Sequence, residues 1–345
     1  MQRAAELPIP ARRLPPRLLV GAALACLCVL GASAGAMAIG PLDVVRVLAA
    51  QLGLAVAEPM HEAVVLSIRL PRVVLGMVHG ALLACSGALL QGLFRNPLAD
   101  PGLLGTSGGA MVAAAAWTVL AAPHLPDAGG WALAASAFAG ALGATALVLR
   151  IGGAAGRAEP AVLLLAGVAI NAFAMAATGL LLAIADDAQI RSMTFWSLGS
   201  LGGSNWATVL ALAPILAVLA VSARRIAPGL DAMLLGAREA GHLGVEVPRL
   251  QRLLVVVTAL AVGGSVAVAG TIGFVGLVVP NLVRMVVGPS HRHLLPFSAA
   301  FGAGLVVASD AIARVVAAPA ELPIGVITTL VGVPFFLHLL RRRLG

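Results

Sequence analysis

The chain contains no lysine: all 22 of its basic side chains are arginine. A P-loop needs a lysine ammonium at the β- and γ-phosphates, so no such nucleotide site is present, and lysine Schiff-base chemistry is excluded by the same absence. Charge is scarce, at 10% of residues against roughly a quarter in a soluble domain. With 60% hydrophobic residues and 40 glycines, this excludes an ordinary soluble globule. Only three cysteines occur, Cys26, Cys28 and Cys85, each in an apolar run without a His or carboxylate at ligand spacing. Neither a disulfide framework nor a zinc site is expected. The net charge of +8 does not point to nucleic acid, because the arginines are scattered between apolar runs with no basic helix face and no interleaved aromatics.

What is there is apolar sequence of membrane length. About 20 apolar residues in a helix span a hydrocarbon core of about 30 Å. Runs at 18–39, 73–93, 103–122, 130–149, 160–184, 207–223, 253–270, 294–317 and 324–340 fit that length, and 275–287, interrupted by Pro280 and Arg284, reads as a short further span. Arg3, Arg12, Arg13 and Arg17 precede the first run, and Arg341, Arg342 and Arg343 follow the last. The positive-inside rule then places both termini in the cytoplasm, which requires an even number of crossings. Ten crossings put Arg95, Arg150, Arg157, Arg224, Arg225, Arg238, Arg249, Arg252 and Arg292 inside and leave Arg46, Arg69, Arg72, Arg191 and Arg314 at or near the outer face. Trp117, Trp131, Trp196 and Trp206 then flank outer loops, as an interfacial belt would. A signal peptide cleaved near Ala34 to Ala36 is the alternative for the first run, but that run exceeds the 7–15 residues of a typical signal core. The expectation is an all-α polytopic membrane protein of ten transmembrane helices, tightly packed through small residues such as Gly76 and Gly80, Gly105 and Gly109, and Gly270, Gly273 and Gly276.

Two stretches are not generic. In the first, Asn96-Pro97 and Asp100-Pro101 break the helix twice, each pair suited to an N-cap followed by proline at the first helical position. The second, Gly270 to Leu277 followed by Pro280 and Asn281, stands at a mirrored place in the other half. Irregular backbone at membrane depth is tolerated only where protein or a water-filled cavity satisfies it, and paired breaks point to two pseudo-repeated halves around a transport route. A plain inter-helix loop is the alternative for the first break.

From about residue 60 onward the chain resembles the FecCD family, the permeases of haem, ferric-siderophore and vitamin B12 ATP-binding-cassette importers. The resemblance rests on Arg69-Leu70-Pro71-Arg72, the NPLADPGLLG run from Asn96, Leu235-Gly236-Ala237-Arg238, Gly273 to Pro280, and Glu321-Leu322-Pro323-Ile324-Gly325. It implies a single permease domain over the whole chain, 1–345. This domain forms a homodimer whose central pathway is lined by the fifth and tenth spans, with Asn171, Met175 and Thr328 as lining residues. It also implies two cytoplasmic ATPase subunits carrying ATP and Mg, one periplasmic binding protein, no cofactor or metal in this chain, and residence in the bacterial inner membrane. By similarity, Arg69, Arg72 and Arg314 would pair with glutamates of the docking protein; the alternative for Arg314 is Asp310, four residues earlier on the same helix face. The segment 231–247 resembles a coupling helix seated on the ATPase, with Gly236, Arg238, Glu239, Leu243 and Gly244 as its contacts, or it is a solvated loop. Asn96 and Leu98 match the family's cytoplasmic constriction, or they only cap the turn.

Thr194 to Gly203, with GLLG after Pro101, looks most like the haem branch; a ferric siderophore or vitamin B12 is the alternative cargo. His79, in the middle of a span, is either an iron ligand or hydrogen-bonded within the bundle. His291 and His293 read as solvated loop. Two rivals differ in kind. Gly105-Thr106-Ser107-Gly108 fits the GxSG pattern of intramembrane serine proteases, with His79 as base. A secondary transporter also uses broken helices, but it needs ionisable groups near mid-membrane, and Asp310 and Arg284 both lie towards span ends.

Overall fold

The computed structural model describes residues 16–152, 160–318 and 320–344, and these contain helices and no strand. Arg3, Arg12, Arg13 and Arg157 of the charge argument lie outside the described residues. In chain order the helices are α1 (Pro16–Ser33), α2 (Pro41–Ala50), α3 (Pro59–Val64), α4 (Leu70–Phe94), α5 (Thr106–Ala116), α6 (Gly129–Gly152) and α7 (Pro160–Ala183). They continue as α8 (Asp187–Ser197), α9 (Trp206–Met233), α10 (Ala237–His242), α11 (Val247–Ala269), α12 (Val275–Val287), α13 (His291–Val316) and α14 (Ile324–Leu344). Pro59–Phe94, Pro126–Gly152, Pro160–Ala183, Trp206–Met233, Val247–Ala269 and His291–Val316 are each long and apolar enough to cross a membrane, while Leu18–Ser33, Val275–Val287 and Ile324–His338 are shorter apolar helices.

Helix ends depart from the apolar runs for local reasons. The first helix stops at Ser33, six residues before its run ends at residue 39, and the chain turns into α2 behind Pro41. α9 continues ten residues past 223 to Met233, through Pro214 and Pro228. α2 and α8 were not expected from run length, because neither is a long apolar stretch. α8 is fixed by a capping box: Asp186 Oδ1 accepts from the Gln189 amide at 2.8 Å, and Gln189 Oε1 accepts from the Asp186 amide at 3.1 Å.

α4 is the central helix, buried along most of its length against α9, α11, α12 and α13. Its approach to α13 is set by Gly80 and Gly302: a Cβ on either would collide with the carbonyl oxygen of the other. Gly109 of α5 and Gly140 of α6 make the same reciprocal crossing, and Gly87 meets the carbonyl of Gly276. Backbones this close gain contact without any hydrophobic drive between helices. Gly76 fits beside Leu201 and Val307, whereas Gly273 faces open space and does not join a packing stripe.

Candidate functional site

Three arginines gather at the ends of α1, α4 and α13 that face the same way. Arg72 meets Asp310 through Nε (3.0 and 3.1 Å) and Nη2 (2.9 Å). It also donates to both Glu321 oxygens, from Nη1 at 2.8 Å and Nη2 at 3.0 Å. Arg314 Nη2 lies 3.0 Å from Asp310 Oδ2. The pairing of Arg314 with Asp310 is therefore present. Arg314 also donates to the carbonyls of Gly31 and Ala34, and Arg69 donates to those of Ala32, Ser33 and Met37. The carbonyls of Gly31, Ala32 and Ser33 belong to the last turn of α1, which leaves them without helical partners at the negative end of its dipole, so the two arginines cap it, while the Ala34 and Met37 bonds hold the chain that follows.

Arg69, Arg72 and Arg314 are only 4%, 7% and 7% exposed, with donors engaged inside the chain. A docking carboxylate would have to displace an internal acceptor. Glu321, 46% exposed at its side chain, is the outermost of these. The hydrogen bond from Arg72 holds its carboxyl below the ordinary range, against a smaller opposing effect of burial. A carboxyl depressed in this way stabilises the fold at neutral pH and loses that contribution as pH falls through its lowered folded value. Glu321→Gln should therefore lower the melting temperature at pH 7, with the gap to the parent closing below the ordinary glutamate range of about 4. A gap that is constant with pH would contradict this; the measurement is a thermal-shift series across pH.

The two helix breaks meet in space. Asp100 caps a short turn over Pro101–Leu104, accepting from the Gly102 amide at 2.8 Å, and Pro101 lies against Gly276 at the start of α12. Asn96 Oδ1 accepts from the Leu98 amide at 2.9 Å, so its side chain shapes the turn. Behind it, Asn281 Nδ2 donates to the Pro97 carbonyl (2.8 Å), Arg284 donates to Asn281 Oδ1 and Gln91 Oε1 (3.0 Å each), and Gln91 Nε2 donates to the carbonyls of Gly276 and Leu277 (3.3 Å each). This lattice ties the end of α4 to α12 and supplies the partners that irregular backbone needs. Sequence reading did not assign Gln91 or Asn281 to it; their signal was amide side chains among apolar residues. The 13 residues of α12 reach about 20 Å at 1.5 Å per residue, less than a hydrocarbon core. A second junction joins the chain after α8 to the end of α11 and the start of α14: the Ser200 amide donates to the Ala269 carbonyl (2.8 Å), and the Ile324 and Gly325 amides donate to the carbonyls of Gly199 (3.0 Å) and Leu198 (3.1 Å).

Between these two junctions lies a cavity of about 400 Å³, lined by Ser107, Met111, Asn171, Met175, Met193 and Thr271, among others, and by no ionisable side chain. Asn171 and Met175 thus share one wall, whereas Thr328 is buried elsewhere, donating to the Gly325 carbonyl at 3.2 Å. Asn171 also has a positioning job: Nδ2 donates to the Gly102 carbonyl (2.9 Å), and Oδ1 accepts from the Gly108 amide (3.1 Å). His79 is fully buried, with Nδ1 2.8 Å from Ser265 Oγ; the Ser107 hydroxyl is not its partner. Among the described residues, no three His, Cys, Asp or Glu side chains come together as a metal-ligand set.

At the opposite end of α9, the segment 231–247 holds α10. Gly236, at φ 135° and ψ 150°, occupies backbone space that a side chain would disfavour, and the Glu239 carboxylate fills the place of a Cβ there. Ala240 is fully buried and anchors the helix, while Arg238, Glu239, Leu243 and Gly244 are exposed beside Leu234 and Leu235. His291 corrects the expectation of a solvated loop residue. It is 2% exposed, because Asp231 Oδ1 takes both its backbone amide (2.7 Å) and its Nδ1 (2.8 Å), with Ser290 Oγ on the other oxygen (2.9 Å). The end of α9 and the start of α13 are thereby clamped at the residue where the segment 231–247 begins.

Residues 23–342 match the model of the FecCD transport family. The hemin transport system permease protein of Yersinia pestis is 44% identical over 278 residues, covering 81% of this chain and 83% of the relative. The cobalamin import system permease protein of Halobacterium salinarum is 45% identical over 282 residues, covering 82% and 74%. A solved transporter assigned to the metal-chelate ABC type, in an inward-facing conformation, superposes with a TM-score of 0.81 at 28% identity over 95% of this chain and 100% of its own.

Proposed function

The chain belongs to the FecCD transport family and is a permease subunit of an ABC importer, a transporter and not an enzyme; from that premise we propose that its cargo is haem, moved across the bacterial inner membrane by ATP-driven alternating access. The observation that carries the cargo is the cavity between the two junctions. Its walls combine three methionine side chains, Met111, Met175 and Met193, with small hydroxyls and an amide, and no charge. Polarizable, adaptable thioethers suit a flat apolar macrocycle, and weak uncharged contacts permit release as well as entry. The hemin permease among the relatives supports the same reading. Vitamin B12 is the second reading, favoured by the cobalamin permease at 45% identity against 44% for the hemin permease. The test is reconstitution with the ATPase and binding protein: hemin should accelerate ATP hydrolysis and accumulate inside proteoliposomes, and stimulation by cobalamin or a ferric siderophore alone would overturn the choice.

In this reading a second copy completes the pathway. Leu165, Phe173, Met175 and Leu180 of α7, with Ile184 just past its end, leave a broad exposed apolar face suited to it. Both termini lie in the cytoplasm with two ATPase subunits, which supply ATP, Mg and the energy that a lysine-free chain does not. One periplasmic binding protein docks over Arg69, Arg72 and Arg314, its carboxylates displacing Glu321. Asn96 and Leu98 form the cytoplasmic gate, on the turn that the Asn281 lattice holds. α10 couples the ATPase through Arg238, Glu239 and Leu243, with Gly236 and Gly244 shaping its ends. Leu243 is 65% exposed, and burying a leucine is worth about 1.5–3 kcal/mol. Leu243→Ala should therefore weaken ATPase binding on the order of tenfold, and exchanging charge at Arg238 and Glu239 should leave hydrolysis running while uptake falls. Unchanged uptake in both variants would remove the assignment.

A further inference from the structure

A groove of about 730 Å³ runs between α1, α9 and α13, none of which lines the cavity described above. Its body is apolar, formed by Val20, Leu24, Leu216, Leu219 and Leu295, and no acidic side chain lines it. At one end stand Arg224 and Arg292, both exposed and both without a hydrogen bond or ion pair among the described residues. The other titratable group there, His291, already has its Nδ1 bound to Asp231. Gly21 lines the apolar part, and a Cβ added to it would meet no atom within 4 Å, so the space is open to an occupant.

An apolar trough that ends in two unpaired cations has the two-part chemistry of a phospholipid. We propose that this groove binds an anionic diacyl phospholipid, with its acyl chains along α1, α9 and α13 and its headgroup phosphate between Arg224 and Arg292. The proposal rests on the orientation given above only in assigning the lipid to the cytoplasmic leaflet, where anionic lipid and basic pockets between helices meet. Any lipid satisfies the apolar part; the arginines make the choice. Each arginine near an anionic surface contributes about a fivefold preference, so the pair selects an anionic over a zwitterionic headgroup by about 25-fold.

The experiment is native mass spectrometry of the detergent-purified full chain titrated with phosphatidylglycerol or phosphatidylcholine, a readout independent of membrane orientation. The parent should retain phosphatidylglycerol about 25-fold more tightly. The double variant Arg224→Gln, Arg292→Gln, altered only at exposed positions, should hold both lipids equally. Gly21→Phe, which fills the trough, should reduce retention of both lipids. Equal retention by the parent, preference persisting in the double variant, or unchanged retention in Gly21→Phe would each overturn the site. So would equal competition by inorganic phosphate, since that would mean a headgroup site without a groove.

Discussion

Asp310→Ala should destabilise the permease by about 3–5 kcal/mol, the cost of removing one partner from a buried ion pair. Asp310 is 2% exposed and lies between Arg72 and Arg314, whose side chains are themselves 8% and 6% exposed. Removing the carboxylate leaves two buried guanidiniums facing each other across the space it filled. Each keeps some acceptors: Arg72 has Glu321, and Arg314 has the carbonyls of Gly31 and Ala34. Neither of those replaces a charge held from two sides. Asp310→Asn should cost less, since an amide preserves shape and one acceptor oxygen, and Glu321→Ala less again, because that residue is half in solvent. Unfolding in mixed micelles, followed by tryptophan fluorescence, gives the ranking. A loss below about 1 kcal/mol for Asp310→Ala would show that the network contributes little beyond what its remaining partners supply.

The same network shows what the sequence could and could not convey. Apolar run length located the six helices that are long and apolar enough to cross a membrane, because a crossing needs about 20 consecutive apolar residues, a requirement visible without any knowledge of packing. The turn at Asp100-Pro101 was also legible, since a cap side chain followed by proline is a purely local arrangement. Arg314 and Asp310 are four residues apart, so their pairing too was a local inference. Arg72 and Asp310 are separated by 238 positions, and nothing local says which carboxylate a given arginine meets. His291 was misplaced for the same reason: its neighbours Arg292 and His293 look like loop, while its partner Asp231 lies 60 residues away. The lattice of Gln91, Asn281 and Arg284 depends on two breaks, far apart in the chain, folding onto one another, which only the tertiary structure supplies. Arg69, which looks free in the sequence, proves to be engaged, because a helix end 37 residues away needed its carbonyls capped.

Gly80→Val should prevent accumulation of folded permease, whereas Gly143→Val should not. Both glycines lie within spanning helices, and composition alone ranks them equally. A Cβ at Gly80 would overlap the carbonyl oxygen and carbon of Gly302 on α13, backbone atoms that no rotamer change can move. Accepting it means separating α4 from α13, the crossing on which the core is built and where Gly302 makes the reciprocal contact against Gly80. Overpacking a core ordinarily costs about 1–3 kcal/mol when side chains can yield, and here only the helices themselves can. At Gly143 a Cβ meets nothing within 4 Å, so substitution there is governed by local helix preference. Glycine is the less favourable residue by several tenths of a kcal/mol, and the effect should be neutral to slightly stabilising. Membrane yield and gel-filtration monodispersity of the two variants decide between these accounts. Gly80→Val behaving like Gly143→Val would mean that α4 and α13 can part without loss, and that the bundle is held together by something other than the close approach of its backbones.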